Sequence, residues 1–469
     1  MNNVREIFKN LPILNISVVI LSTLLITGLA SLSNFSFNQS VALTVFAFKT
    51  AAALMFWRYR LPFATFGLAL LFLFGVLDVP HMVEFASLDI VLFLIGMMII
   101  IGFLEEKGFF EYLSQGFLKL AGQDGKRIVI VIMIFSAVSA ALIDEVTSIL
   151  ISVSLILRIT GKCKINAIPL VLMSVFATNI GSAATVVGNP VGVLIAFRGG
   201  LTFLDFIRWS TPICIIALLV TILICLKYYS NYISKLDNSL KYEKEIFSKS
   251  TEEESINPKD LTVSWIIFVI TLILLILHHP LEELFHLEKN TLLLGIPLLM
   301  ASIVLWLEPQ KAKHLVERRV DWWTLLFFIM LFASVGTLQY VGVIDILAKG
   351  LINVAGHDLL TLTALFIPVI GLLSALLDNV LAVATFSPIV IEIGSAGINN
   401  FPLWWIMLHS ACFIGNLTVI GSTANIVAAG LCERKGERLS LLEWVKIGAL
   451  VSLPTILVSF VLIYFQLFV

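Results

Sequence analysis

Carboxylates inside apolar runs are the side chains of this sequence best suited to chemistry. Asp144 and Glu145 follow the tripeptide Ala-Leu-Ile, and Asp378 and Asn379 follow Ala-Leu-Leu at positions 234 residues later (378 − 144). A charged side chain at the centre of a bilayer costs about 2.5 kcal/mol or more, so acids found there usually have a function. We therefore expect both positions to bind Na⁺ or H⁺.

Two further apolar runs, 167–197 and 403–431, contain Gly, Asn, Ser and Thr near their middles. Glycine permits a helix to break, and freed carbonyls at a break bind cations while the N-terminus of the next half-helix attracts anions. We expect the four interruptions to form one site, with possible Na⁺ near both aspartates. The candidate ion- and substrate-binding residues are Asp144, Glu145, Thr147, Asn179, Ser182, Thr185, Gly188, Asn189, Asp378, Asn379, Asn416, Thr418, Gly421, Ser422, Thr423 and Asn425.

Each candidate also has a structural interpretation. Asp144 and Asp378 are well suited to cap the N-terminus of the helix that follows, and small residues let membrane helices pack closely. Glu145 is either a titratable group that binds protons or a carboxyl that stays protonated for packing. His409, in the first arm of the run 403–431, is either a proton relay or a hydrogen-bonded packing residue.

Composition places the chain in a bilayer. Of 469 residues, 59% are hydrophobic and 13% are charged, and the mean hydropathy of +1.02 is typical of an all-α polytopic membrane protein. The sequence has no basic patch with interleaved aromatic residues, so we do not expect nucleic acid as a partner. The five cysteines show neither metal-ligand nor disulfide spacing.

Thirteen apolar runs define the candidate spans. Four of them would form helices of roughly 43–50 Å if unbroken, far longer than the ~30 Å hydrocarbon core, so each must break or double back at its polar interruption. The runs are 13–32, 41–57, 61–77, 88–104, 128–157, 167–197, 209–228, 262–279, 291–307, 322–340, 359–391, 403–431 and 447–467.

Charge decides how the run 128–157 is arranged, because cytoplasmic loops collect Lys and Arg. If it doubles back, the cation-rich N-terminus and the cation-rich loops fall on one side, and the remaining loops hold at most one cation each, Arg198 and Arg208 being the exceptions. The cation-rich loops are 58–60, 105–127, 158–166, 229–261, 308–320 and 432–446. With re-entrant hairpins at 128–157 and 359–391, the sequence predicts about eleven crossings, a cytoplasmic N-terminus and a C-terminus outside.

The chain is an internal duplication. TVVG at 185–188 matches TVIG at 418–421, and LTFLDFIR at 201–208 matches LSLLEWVK at 439–446. Five crossings separate the starts of the two copies, an odd number, so the copies have opposite orientations. The predicted parts are scaffold helices 1–87, a first inverted repeat 88–228, a cytoplasmic linker with connecting helices 229–319, and a second inverted repeat 320–469. Inverted repeats with broken helices are typical of secondary transporters.

At the tips and at NLTVIGSTAN (416–425), the chain resembles the ion transporter superfamily, in its branch of arsenite permeases, NhaD-type antiporters and P protein. The resemblance runs from about Leu88 to the C-terminus. It implies an elevator-type carrier that is usually a homodimer. The related divalent anion:sodium symporters carry Ser-Asn-Thr at the tips, where this chain has Asp144-Glu145 and Asp378.

The sequence favours an ion-coupled secondary transporter of the plasma membrane, driven by H⁺ or Na⁺ and without another cofactor. Arsenite-like or other small inorganic solutes or anions rank first as substrates, Na⁺/H⁺ antiport second and dicarboxylate-type organic anions third. Buried acids without an intramembrane Lys or Arg would repel a dianion. A channel is less consistent with short broken helices, and no His-Glu-x-x-His or Gly-x-Ser-x-Gly motif indicates an enzyme.

Overall fold

The structure is a computed structural model that describes residues 13–32, 35–122, 124–242, 257–356, 358–437 and 439–468. Throughout these ranges the regular elements are helices. Nine helices in the described ranges are long and apolar enough to cross a bilayer. The all-α polytopic membrane class is therefore confirmed.

We number the main helices in chain order. They are α1 (Ile13–Leu32), α2 (Phe37–Met55), α3 (Arg60–Leu73), α4 (Val79–Phe85), α5 (Leu88–Glu106), α6 (Phe109–Ala121), α7 (Gly125–Leu142), α8 (Glu145–Cys163), α9 (Ile168–Ser182), α10 (Pro190–Gly199), α11 (Phe203–Tyr228), α12 (Ser230–Tyr242), α13 (Pro258–Phe285), α14 (Thr291–Leu307), α15 (Trp322–Tyr340), α16 (Val343–Ala355), α17 (Leu359–Leu377), α18 (Asn379–Ser395), α19 (Phe401–Ile414), α20 (Thr423–Arg434) and α21 (Leu441–Phe468).

The duplication seen in the sequence is a duplication of helices. The seven helices α5 to α11 have 19, 13, 18, 19, 15, 10 and 26 residues. Their counterparts α15 to α21 have 19, 13, 19, 17, 14, 12 and 28. The second helix of each set follows a glycine with positive φ, Gly108 at 71° and Gly342 at 80°, a conformation that glycine adopts at little cost.

The first acidic interruption makes a hairpin. Ser136 and Ser152 each lie eight residues from Asp144 (144 − 136 and 152 − 144), and their hydroxyl oxygens are 3.0 Å apart. Ser148 Oγ also donates to the carbonyl of Ser136 at 2.8 Å. Residues on the two sides of a break can be such neighbours only if the chain reverses there. The arms α7 and α8 extend beyond the predicted run 128–157 at both ends.

The other three interruptions also break helices where the sequence predicts. α17 ends at Leu377 and α18 begins at Asn379. α9 ends at Ser182 before α10 begins at Pro190, and α19 ends at Ile414 before α20 begins at Thr423. The reversal of the second hairpin, 359–391, stays a prediction, because α17 and most of α18 belong to different compact units.

The described residues of the chain form two compact units. The first contains residues 1–91, 321–357 and 384–398, and within it α15 packs against α2, α3 and α4. Arg60 there donates to the hydroxyl of Thr324 at 2.9 Å, and Gln39 donates to the carbonyl of Val341 at 2.9 Å. The second unit contains residues 92–320, 358–383 and 399–469, and all four helix breaks lie in it.

Parts of the predicted organisation lie outside the described residues. These are the N-terminal segment 1–12 with Arg5 and Lys9, and residues 243–256 of the predicted cytoplasmic linker. The four-part division at 87/88, 228/229 and 319/320, like the orientation of both termini, stays a prediction.

The apolar run 41–57 contains a buried cation, Lys49, that the sequence analysis did not single out. This residue of α2 is 3% exposed, with its ammonium 4.9 Å from the centroid of the Phe46 ring and 3.5 Å from the carbonyl oxygen of Met330. The other residues of the run 41–57 are mostly apolar, so the hydropathy of the run does not reveal this single charge. Lys49 belongs to the first unit and the predicted site acids belong to the second.

Small residues bring each hairpin arm against a broken span. A Cβ at Gly181 of α9 would lie 2.2 Å from the carbonyl oxygen of Ala137 in α7. In the second repeat the glycine is on the other partner, where a Cβ at Gly371 of α17 would lie 2.2 Å from Ile414 of α19. The backbone contact excludes a larger residue at Gly181, whereas a larger residue at Gly371 would require the Ile414 side chain to move.

We predict that Gly181→Ala destabilises the protein by about 1–3 kcal/mol, because its methyl group would overlap backbone atoms that cannot move independently. The measurement is the denaturation midpoint of purified protein in detergent. Gly116→Ala is the matched control, since Gly116 is exposed in α6 and nothing lies within 4 Å of its Cβ position. A midpoint for Gly181→Ala equal to that of Gly116→Ala would contradict this packing.

Candidate functional site

The first tip is built by a capped helix start. Asp144 precedes α8, and its Oδ1 accepts hydrogen bonds from the backbone N–H groups of Val146 and Thr147, both at 2.8 Å. Its φ of −176° is ordinary extended backbone. The capping interpretation of Asp144 is therefore correct, and its second carboxylate oxygen makes neither of these two bonds.

The second tip repeats the cap with a different backbone. Asp378 Oδ1 accepts from the N–H of Val380 at 2.8 Å, and its Oδ2 accepts from the hydroxyl of Thr423 at 3.1 Å. The backbone of Asp378 has φ 96° and ψ 142°, a region in which a residue with a side chain is strained. Asp378 is 5% exposed. Capping, burial and strain therefore coincide at one aspartate.

Asn179 connects the two broken spans. Its amide nitrogen donates to Oδ1 of Asn416 and to Oδ1 of Asn425, both at 2.7 Å. Its amide oxygen accepts from the hydroxyl of Ser422 at 3.0 Å. Asn425 in turn donates to the carbonyls of Gly415 and Thr418 at 3.0 and 2.8 Å. The four side chains are at most 1% exposed, so this network holds the two breaks together away from water.

The contacts between the repeats are reciprocal. A shift of 233 residues relates Asn179 to Cys412 (412 − 179) and Asn189 to Ser422 (422 − 189). Ser422 donates to Asn179, and Asn189 donates to Cys412 Sγ at 3.3 Å. Each start of a second half-helix therefore contacts the other repeat's first half-helix, a pattern that a two-fold axis produces. Asn189 and Ser422 also cap α10 and α20.

Thr185 and Thr418 connect each break to the helix that precedes the tip of the same repeat. The hydroxyl of Thr185 donates to the carbonyl of Ala141, and the hydroxyl of Thr418 donates to the carbonyl of Ala375. Both acceptors lie three residues before an aspartate of a tip (144 − 141 and 378 − 375). The two threonines predicted as ligands thus have their hydroxyl hydrogens committed to holding the tips in place.

The predicted glycines allow the loops to fold tightly. A Cβ at Gly188 would lie 2.2 Å from the carbonyl oxygen of Ser182, and a Cβ at Gly421 would lie 2.4 Å from that of Gly415. These four residues are again related by the shift of 233 (421 − 188 and 415 − 182). Close backbone approach explains the glycines, as the structural interpretation expected.

Glu145 lies where the tips and the first broken span meet. It is 1% exposed at the start of α8, and its Oε2 accepts a long hydrogen bond of 3.4 Å from Ser182. Asp378 and Asp144 are close enough to act electrostatically on its carboxyl group, and Asn379 is its neighbour. No Lys or Arg of the described chain contributes to these surroundings. Glu145 is thus a buried acid among acids.

The predicted site residues are contiguous. Asp378 contacts Thr423, Ser422 contacts Asn179, Ser182 contacts the carbonyl of Asn179 at 3.1 Å, and Ser182 also contacts Glu145. Asn379, which follows Asp378 in the sequence, is a neighbour of Glu145, so the chain of contacts closes there. Asp144 and Thr147 are half-buried at the margin, next to Glu145.

Two buried amides at this place retain hydrogen-bonding capacity. In the described chain, neither atom of the Asn379 amide has a partner with ordinary hydrogen-bond geometry, although Glu145 is nearby. Nδ2 of Asn416 likewise has no partner there. Buried polar groups are almost always paired, so each exception requires an explanation. A bound solute with oxygen atoms would supply one.

Sequence reasoning missed several neighbours of the site. Cys412 is not among the predicted site residues, yet its relation to Asn179 by the 233-residue shift could have placed it here. Ser374 donates to the carbonyl of Ala411 at 2.6 Å, and Trp444 donates to that of Asn416 at 3.0 Å. Neither of these residues occupies an interruption, so the sequence pattern carried no signal for them.

His409 is buried, and its ring has defined contacts. Its two ring nitrogens lie 2.8 Å from the hydroxyls of Ser210 and Ser459, and its ring stacks on Phe413 with centroids 5.0 Å apart. Both nitrogens therefore have hydroxyl partners, which is compatible with packing and with a proton relay, so the role of His409 stays a prediction.

Paired repeats, broken spans and a buried acidic centre are the architecture of a membrane transporter. The chain belongs to the citrate transporter family (CitMHS), whose profile matches residues 50–409. It is 32% identical to an uncharacterized transporter of Mycobacterium tuberculosis, over 81% of this chain and 86% of that protein. It is also 25% identical to the human P protein, over 79% of this chain and 52% of that protein. The predicted ion transporter superfamily is confirmed.

We predict that Asp378→Gly is more stable than Asp378→Ala. The difference in stability between the glycine and alanine variants should be larger at position 378 than at position 144. Alanine at 378 would keep a backbone strain of about 1–2 kcal/mol that glycine removes, whereas the φ of Asp144 suits both residues. The measurement is the denaturation midpoint of the four variants. Equal margins at the two positions would contradict the strained backbone of Asp378.

Proposed function

We propose that the protein is an ion-coupled secondary transporter that moves a small inorganic solute or anion, with H⁺ or Na⁺ as the coupling ion. The observation that carries the proposal is Glu145, a carboxyl group that is 1% exposed, feels the charge of both Asp144 and Asp378, and lies beside the amide of Asn379. A group in these surroundings is stabilised by a proton or a cation. Binding and release of that ion would then change the charge of the whole site.

The coupling ion has donors suited to it. For H⁺, Glu145 is the acceptor, since a protonated carboxyl can donate to Asn379 or Ser182. For Na⁺, the ligands would be carboxylate oxygens of Asp378 or Asp144 with neutral oxygens of the neighbouring break. The electrostatic effect of Asp378 and Asp144 on Glu145 favours neutralisation of charge before any anion enters. We therefore propose that ion binding precedes substrate binding.

The substrate would contact the unsatisfied amides. Nδ2 of Asn416 and the amide of Asn379 can donate to the oxygens of an oxyanion or of a neutral hydroxylated solute. The starts of α8, α10 and α20 add partial positive charge at the breaks. We propose transport by an elevator mechanism in a plasma-membrane homodimer, in keeping with the superfamily that the chain resembles.

A second candidate is an organic anion such as citrate, and the family description favours it. Its negative charge would need compensation by bound cations, because the described surroundings of Glu145 contain acids and no Lys or Arg. Na⁺/H⁺ antiport is the third candidate, and it requires only the acids. The three differ in which solute moves with the ion.

We predict that Glu145→Gln abolishes uptake driven by a pH gradient in proteoliposomes, because glutamine keeps the shape of the side chain and cannot bind a proton. The panel of solutes is arsenite, citrate and Na⁺, each tested with a pH gradient and with a Na⁺ gradient. The matched control is Glu111→Gln, an exposed carboxylate of α6, which should transport like wild type.

Undiminished pH-driven uptake by Glu145→Gln would overturn the role of Glu145 as the proton site. Loss of Na⁺-driven uptake in Asp378→Asn, with Glu145→Gln still active, would instead assign the coupling to Na⁺ at the second tip. Flux of any solute that is independent of both gradients and proceeds at channel rates would contradict a carrier.

A further inference from the structure

A cavity of about 610 Å³ lies at the far ends of two helices that begin in the candidate site. α8 starts at Glu145 and α20 starts at Thr423, and their last turns line the cavity. Arg158 lies thirteen residues along α8 from Glu145 (158 − 145), a distance of ~20 Å at ~1.5 Å per residue. The cavity is therefore separate from the acidic centre.

The charge of the cavity is opposite to that of the site. Arg158 of α8 lines it together with Arg434 and Lys435 at the end of α20, and Glu437 is the single carboxylate of the lining. None of the three cations forms an ion pair with another described residue. Three unpaired cations that converge on one concavity repel each other unless an anion lies between them.

A simpler account is that the cations complement helix C-termini, where positive side chains are favourable. Such complementation explains one exposed cation at the C-terminus of each of the two helices, α8 and α20. It does not account for two helices from different repeats directing three cations into one concavity. That volume lies within the range of small-molecule sites, about 300–1,000 Å³.

We propose that this cavity is a binding site for a multivalent anion of the phosphate or carboxylate class. Arginine offers paired N–H donors that match phosphate and carboxylate oxygens, and lysine adds a point charge. The sequence predicts the segments 158–166 and 432–446 to lie on the same side of the membrane, and the structure brings residues of both into this cavity. The proposal is independent of the transport mechanism and of the role of Glu145.

The anion can come from water or from a lipid headgroup, because both present the same oxygens. Protein in nanodiscs of phosphatidylcholine alone, titrated with inorganic phosphate and with citrate by calorimetry, tests the dissolved anion. Protein in nanodiscs that also contain phosphatidylglycerol, followed by native mass spectrometry of retained lipid, tests the headgroup. The variants are Arg434→Gln alone and Arg158→Gln/Arg434→Gln/Lys435→Gln together.

We expect wild type to bind at least one of these probes, and the triple variant to bind it about tenfold more weakly or worse. Lys162→Gln, which removes a cation of α8 outside the cavity, is the matched control and should bind like wild type. Arg434→Gln should give an intermediate loss and serves if the triple variant fails to fold. Absence of binding by wild type, or equal binding by wild type and a folded variant, would overturn the proposal.

Discussion

The amide of Asn179 is the interaction on which the site depends. Breaking two membrane helices frees backbone groups that lipid cannot satisfy, and this chain satisfies many of them inside the protein. Asn179 donates to Asn416 and Asn425, and Asn425 donates to two carbonyls of its own break. The loops can remain unwound because this network pairs their polar groups. With the loops held, the tips are held as well, through the hydroxyls of Thr185 and Thr418.

The duplication supplies a symmetric frame, and the departures from symmetry supply the chemistry. A shift of 234 residues relates Glu145 to Asn379 (379 − 145), so one tip offers an acid where the other offers an amide. The two aspartates both cap helices, yet only Asp378 has a strained backbone and a hydroxyl partner on the second broken span. Asn179 is related to Cys412, so the amide that connects the repeats comes from one of them. As a result, the buried acid Glu145 lies beside the amide of Asn379.

Much of this arrangement could be predicted from the sequence, because membrane helices obey simple constraints of length and polarity. The four interruptions and the first hairpin lie where the residues indicated. The side chains that serve as scaffolding could not be separated from ligands, because Thr185 and Gly188 have the same residue types in either role. Lys49 was not singled out because the mean hydropathy of an apolar run changes little when it contains a single charge. Cys412 and Trp444 form hydrogen bonds with residues that are distant in the sequence, and a local sequence pattern does not indicate such contacts.

The central claim is that both repeats build one site through buried amide contacts, and a double-mutant cycle between Asn179 and Asn425 tests it most directly. Unfolding free energies of Asn179→Ala, Asn425→Ala and the double variant would be measured in one detergent. The account predicts that the two losses are strongly non-additive, with a coupling of about 1 kcal/mol or more. Losses that add within about 0.3 kcal/mol would mean that the two residues do not interact, which would contradict a shared site.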